Sequence, residues 1–321
     1  MLDPALFRAE AIDPETAAFN AQLEELLAKV PPTHTQTPQA VRRAREEGRG
    51  WRGPIVRSEA AVERKIPGPS GEVRLRCFFP ERVDGVYLHF HGGGWVLGAA
   101  DQQDPRLESI ANGCNVAVVS VEYRLAPEHP YPAGPNDCEA AALWLAKNAA
   151  AEFGTDRLVV AGESAGAHLA VVSLLRLRDR HGLRAFAAAN LGYGVFDLRA
   201  TPSLRNWGER NLILNTPVMA WFFDHFVPPE KRDDPDVSPL CADLSGMPQA
   251  LFTVGTMDPL LDDSLFMHAR WVAAGNEAEL AVYPGGVHGF TGFPTEMARR
   301  AQAKEDAFIK QAVSAAQGVR A

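Results

Sequence analysis

Ser164 stands in the run Gly162-Glu163-Ser164-Ala165-Gly166, a spacing at which a serine hydroxyl serves as the nucleophile of acyl transfer. A serine held on a sharp strand-to-helix turn crowds its neighbours, so small residues are needed two positions before and after it. Gly162 and Gly166 fill those places. A second run, His91-Gly92-Gly93-Gly94-Trp95, puts three glycines together, which is useful where main chain must approach a ligand closely or take positive φ. Its N–H groups, with that of Ala165 at a helix start, are the expected stabilisers of an oxyanion. Gly93 and Gly94 are the first expected donors and Gly92 the next, because the register is open. His91 is expected to bond the loop rather than to catalyse.

A serine hydroxyl becomes a good nucleophile only when a base takes its proton, so one of the nine histidines must reach Ser164. His168 lies four residues along the same helix and is expected to pack or to touch a covering element instead. His288, in Tyr283-Pro284-Gly285-Gly286-Val287-His288-Gly289-Phe290, follows the last predicted strand. That loop emerges where ligands bind in open α/β sheets, at the carboxyl ends of the strands. Asp258, in Thr256-Met257-Asp258-Pro259-Leu260, also follows a strand and is the expected acid. Asp262 and Asp263 are alternatives, but they fall at the start of a helix containing Leu265, Met267 and Trp271, where charge at a helix N-terminus accounts for them. The remaining histidines, 34, 89, 129, 181, 225 and 268, are read as structural or surface residues.

The elements that must position these groups are short β-branched runs alternating with helical stretches, the pattern of a mainly parallel sheet covered on both sides. Expected strands are Val86 to Phe90, Val116 to Val121, Leu158 to Ala161, Phe186 to Asn190, Leu251 to Val254 and Glu279 to Tyr283. Runs at Val62 to Ile66 and Val73 to Phe79, joined by Pro67-Gly68-Pro69-Ser70-Gly71, predict an edge hairpin. Two regions break the alternation. Residues 1 to 50 read as helices, with Leu23, Leu26, Leu27 and Val30 at helical spacing and Pro31-Pro32 as a stop. Residues 196 to 238 carry Trp207, Trp221, Phe222, Phe223 and Phe226 between two strands. Apolar helices that are not crossovers need a surface to cover, and a pocket mouth is one; extra core helices are the plainer alternative.

Together with Tyr123-Arg124-Leu125-Ala126-Pro127-Glu128-His129, the glycine loop and the serine turn resemble the bacterial hormone-sensitive-lipase-like carboxylesterases, from about residue 86 to the C-terminus. The resemblance implies an α/β-hydrolase fold: a mainly parallel eight-stranded sheet flanked by helices, with a helical cap. The expected division is residues 1–50 and 196–238 as cap, and 51–195 and 239–321 as core. In that superfamily the acid lies between serine and histidine along the chain, which favours Asp258 with His288. The implied reaction is hydrolysis of short- to medium-chain acyl esters through an acyl-enzyme, without metal or organic cofactor, and a dimer through the last strand and helix. Trp95, Trp207, Trp221 and Phe222 are expected to line the substrate pocket. The family elbow more often has Asp in place of Glu163 and Gly-Asn in place of Ala167-His168. Those departures bear on subfamily and substrate preference rather than on chemistry.

Acidic residues exceed basic ones by eight, 40 against 32, which disfavours nucleic acid as a partner. The short run Arg42, Arg43 and Arg45 is broken by Glu46 and Glu47 and reads as a solvated helix face. The N-terminal stretch lacks the pattern of a secretory signal and no long apolar run occurs, so a soluble cytoplasmic protein is expected. Cys77, Cys114, Cys138 and Cys241 are scattered and read as reduced thiols. Amide hydrolysis by the same triad is the runner-up activity. A non-catalytic ligand-binding receptor is the rival from another class, and the intact Ser164, Asp258 and His288 argue against it.

Overall fold

The computed structural model describes residues 2–50 and 53–314. Residues 51, 52 and 315–321, where two of the expected core ranges begin or end, lie outside the described residues.

Eight strands form one sheet: β1 (Val62–Gly68), β2 (Gly71–Phe78), β3 (Gly85–Phe90), β4 (Val116–Glu122), β5 (Leu158–Glu163), β6 (Phe186–Gly192), β7 (Gln249–Met257) and β8 (Ala278–Val287). Their spatial order is β1-β2-β4-β3-β5-β6-β7-β8. The β1–β2 hairpin and the β2–β4 pair are antiparallel, and every other neighbour pair is parallel. Val116-Ala117-Val118-Val119 in β4 is buried on both faces, as β-branched runs in covered parallel sheets are.

Several strands run further than their β-branched runs. β5 continues through the Gly162–Leu191 and Glu163–Gly192 pairings, and β7 reaches Met257 opposite Val287. Backbone pairing with a neighbour extends a strand past the point where side-chain propensity stops signalling it.

Nine α-helices occur among the described residues: α1 (Pro14–Leu27), α2 (Pro38–Glu46), α3 (Asp104–Cys114), α4 (Ala133–Phe153), α5 (Ala165–His181), α6 (Pro202–Trp207), α7 (Thr216–Phe226), α8 (Leu261–Ala273) and α9 (Glu296–Ser314). Local chemistry sets their starts. Asp13 and Thr37 cap α1 and α2 with Pro next in each, and Asn215 caps α7 by accepting from Val218 N–H. Gly154 and Gly182, both left-handed, end α4 and α5.

Leu107, Phe308 and Ile309 of α3 and α9 cover one face of the sheet; α4, α5 and α8 cover the other, with Leu145, Leu169 and Trp271. α1 lies against β8: Leu23 and Leu27 join Val254, Val287 and Phe290, and Asn20 Nδ2 donates to Gly285 O at 2.8 Å. Leu26, expected on the same apolar face, is instead 42% exposed, so the buried stripe is narrower than the spacing suggested.

The two irregular regions touch each other, Glu24 of α1 pairing with Arg210 at 3.0 Å. Arg42 departs from the solvated face expected of it. Its Nε donates to Val96 O at 2.7 Å and its Nη2 to Ala126 O at 2.5 Å, and it pairs with Glu128. No helix of the described residues is long and apolar enough to cross a membrane. All four cysteines are unpaired; three are buried, and Cys241 is half-buried with Arg199 donating to its sulfur at 3.0 Å.

Candidate active site

Ser164 follows the last residue of β5 and immediately precedes α5, with φ 58° and ψ −121°. A non-glycine residue in such a conformation costs on the order of 1–3 kcal/mol and persists only where its surroundings impose it. Here they do. Ser164 N–H donates to Gly192 O of β6 at 2.9 Å, and Ser164 O accepts from His168 N–H at 3.2 Å. A Cβ on Gly162 would lie 2.3 Å from the carbonyl carbon of Gly166, so a larger residue would force the turn open.

His288 Nε2 lies 2.9 Å from Ser164 Oγ, and its Nδ1 lies 2.9 Å from Asp258 Oδ2. A carboxylate only accepts, so Nδ1 carries the proton and Nε2 presents its lone pair to the serine hydroxyl. The other oxygen of Asp258 accepts from Leu260 N–H at 2.9 Å. Asp258 is 1% exposed and His288 6%, and Tyr193 stands edge-on to the imidazole at 5.1 Å. Ser164, Asp258 and His288 each directly follow a strand: β5, β7 and β8. The structure brings these three expected residues together at the carboxyl end of the sheet.

Asp262 and Asp263 lie in the first turn of α8, but their oxygens hold the segment that begins at residue 196. Asp262 accepts from Ser203 N–H at 2.8 Å. Asp263 accepts from Phe196 N–H at 2.6 Å, Asp197 N–H at 3.0 Å and Thr201 Oγ1 at 2.6 Å. Burial pushes the Asp263 carboxyl up to about 7, which the three donors oppose without cancelling.

The glycine loop follows β3 and turns through three successive positive φ angles, 122° at Gly93, 61° at Gly94 and 60° at Trp95. It passes next to the elbow: a Cβ on Gly92 would lie 3.4 Å from Ser164 Cβ. Among the described residues, the backbone N–H groups of Gly92, Gly93, Gly94 and Ala165 have no hydrogen-bond partner. His91 stacks on Tyr123 at 4.1 Å and its Nδ1 donates to Gly92 O at 2.9 Å, so its ring does bond the loop. Burial lowers this imidazole to about 4, so it is neutral.

The four aromatic residues expected at the pocket diverge. Phe222 lies directly on the loop, where a Cβ added to Gly94 would meet its ring at 2.2 Å. Trp221 is half-buried beside it, the ring centroids 5.1 Å apart. Trp207 donates its indole N–H to Arg210 O at 2.8 Å and packs near the cluster under α1. Trp95 is 2% exposed, stacked on Phe226 at 4.3 Å and hydrogen-bonded to His168.

Beneath the elbow lies a group that the motifs did not signal. His89 Nε2 stands 3.1 Å from Glu163 Oε2, which also accepts from Gln103 Nε2 at 3.0 Å, and His89 Nδ1 is 3.0 Å from Ser120 Oγ. Burial works against the Glu163 carboxylate, yet His89, Gln103 and Arg106 outweigh it and hold its pKa below the usual carboxylate range. Tyr193 was also missed. Its signal was its place right after β6, at the same end of the sheet as the serine.

A family model described as alpha/beta hydrolase fold matches residues 87–292. The carboxylesterase NlhH of Mycobacterium tuberculosis is 36% identical over 263 residues, covering 78% of this chain and 82% of that protein. An arylesterase of Saccharolobus solfataricus is 33% identical over 240 residues, covering 72% and 76%. Among solved structures, a hyperthermophilic esterase from Pyrobaculum calidifontis superposes with a TM-score of 0.83 at 32% identity, covering 95% of this chain and 99% of that one.

Proposed function

The chain belongs to the hormone-sensitive-lipase-like carboxylesterases of the α/β-hydrolase fold and is a carboxylic ester hydrolase, and we propose that it cleaves short- to medium-chain acyl esters with Ser164, His288 and Asp258 as its triad. The observation that carries this reading is the placement of one imidazole 2.9 Å from the Ser164 hydroxyl and 2.9 Å from the Asp258 carboxylate.

His288 takes the hydroxyl proton as Ser164 attacks the ester carbonyl carbon, and Asp258 stabilises the imidazolium that forms. Negative charge on the carbonyl oxygen is met by the N–H groups of Gly93, Gly94 and Ala165, with Gly92 beside them and the N-terminus of α5 behind. His288 returns the proton to the departing alkoxide. A water whose proton His288 accepts then attacks the acyl carbon, and His288 passes that proton to Ser164 Oγ as the acyl–oxygen bond breaks, releasing the acid and restoring the serine.

Residues 1–50 and 196–238 act as the cap over the core in this reading, supported by the Glu24–Arg210 pair and by Phe222 on Gly94. Phe222 and Trp221 line the pocket, with Trp207 further out and Trp95 acting from beneath the loop. A cytoplasmic location, in keeping with four unpaired thiols, and a homodimer through β8 and α9 complete it.

The test is burst release of p-nitrophenol from p-nitrophenyl esters, with matched anilides alongside. Turnover of the ester that vanishes in a folded Ser164→Ala variant is expected. Faster anilide cleavage would replace the ester reading with an amidase one, and undiminished turnover in Ser164→Ala would overturn the triad.

A further inference from the structure

His168 lies in the first turn of α5, fully buried, with both ring nitrogens engaged. Trp95 Nε1 donates to His168 Nδ1 at 3.1 Å, and His168 Nε2 is 2.8 Å from the carbonyl oxygen of Val237. An indole N–H only donates and a carbonyl only accepts. Of the three forms of the ring, only the neutral Nε2–H tautomer satisfies both partners; an imidazolium would turn an N–H toward the indole N–H. One side chain thus joins the elbow helix, the glycine loop and the end of the segment inserted between β6 and β7.

The indole bond falls where the loop is under most strain. Trp95, with φ 60°, closes the run of positive φ angles. Unlike the two glycines before it, it carries a Cβ that disfavours this conformation. Stacking on Phe226, the bond from Ala126 N–H to Trp95 O at 2.9 Å and the bond to His168 hold it there. The Trp95–His168 bond is the one of these that refers the loop to the helix following the nucleophile, since His168 N–H donates to Ser164 O.

We propose that His168 is a positioning residue for the oxyanion loop, setting through Trp95 where the N–H groups of Gly93 and Gly94 stand relative to Ser164. The proposal rests on the ester-hydrolase reading above, and it makes the departure from the usual family Asn at this position bear on kcat as well as on subfamily.

The test uses the whole chain with His168→Leu, His168→Gln, Trp95→Phe and the Leu/Phe double variant, each assayed on p-nitrophenyl acetate. Misplacing preorganised donors lowers turnover more than binding, so His168→Leu and Trp95→Phe are each expected to lose ~10–100-fold in kcat with KM within about threefold. The double variant is expected to be no slower than the slower single, because both changes remove one bond. Gln, whose amide both accepts and donates, is expected to restore kcat to within about fivefold of wild type. The Trp95 indole ¹H–¹⁵N resonance, assigned by its loss in Trp95→Phe, is expected to move upfield in His168→Leu and back in His168→Gln.

An unmoved resonance, multiplicative losses in the double variant, or a His168→Leu enzyme with a lowered melting temperature but full kcat would each overturn the proposal. If His168→Leu does not fold, Trp95→Phe decides, and full kcat there rejects it. A wild-type chain that hydrolyses no ester sinks the parent reading and this proposal together, whereas wild-type turnover that the variants leave intact sinks only this one.

Discussion

Gly166 and Phe90 are pressed backbone to backbone: a Cβ on Gly166 would lie 1.9 Å from the carbonyl oxygen of Phe90, the last residue of β3. The elbow and the strand that feeds the glycine loop therefore share one contact that admits no side chain. Gly166→Ala is expected to destabilise the fold by about 1–3 kcal/mol in urea unfolding and to lower kcat at least ~10-fold. Wild-type values for both would show that the close approach does not govern the elbow.

The acid can be told from its neighbours. Asp258→Asn leaves the volume unchanged but removes the charge that holds the His288 tautomer, so a fall of kcat by about 10⁴-fold is expected on aryl esters. Asp262→Asn, which keeps an acceptor for Ser203 N–H and removes one charge from the first turn of α8, is expected to stay within about threefold. The reverse ranking would move the acid to residue 262.

Asp263 makes stability depend on pH. Its carboxyl sits at about 7 in the fold against 3.8 for the free group, because burial disfavours the charge. An acid raised on folding favours the native state most when protonated. Stability from this group is therefore full below about pH 4, is lost as pH rises toward 7 and is flat above that; the drop is on the order of a few kcal/mol. Melting temperatures of wild type and Asp263→Asn, whose amide has the shape and hydrogen bonds of the neutral carboxyl, are expected to lie closest at pH 4.5 and to separate toward pH 8 as wild type falls below the variant. Part of the slope persists in the variant, since burial also raises Glu305 to about 7. Parallel curves would locate the titration elsewhere.

Phe222 closes the space above Gly94. Phe222→Ala is expected to raise the ratio of kcat/KM for p-nitrophenyl octanoate over acetate by ~10-fold, the scale set by a few methylenes in an apolar pocket. An unchanged ratio would take Phe222 out of the acyl site.

The sequence carried the sheet and the elbow well, because both are written in neighbouring residues: a β-branched run, a glycine two places either side of a serine. Asp258 and His288 were legible from their place after strands. Arg42, Asp263 and the Trp95 half of the His168 bridge were not. Their partners lie 54, 67 and 73 residues away in the chain, and no local pattern announces a bond formed across such a distance. Trp95 read as a pocket residue since its neighbours are loop glycines, but the loop's left-handed turn delivers its ring to Phe226 and His168.

Asn20 of α1 donates to Gly285 O of β8, and a Cβ on Gly285 would strike Ile12 and Thr16. During synthesis, residues 14–27 leave the ribosome well ahead of β8 and wait for a docking surface that is made some 260 residues later. A lone 14-residue helix is marginal in water, so this segment stays unsettled until β8 has emerged. A nascent chain arrested before residue 285 would present both an undocked α1 and an elbow serine without the imidazole of His288, so the docking of α1 and the completion of the Ser164–His288–Asp258 contacts depend on the same stretch of chain.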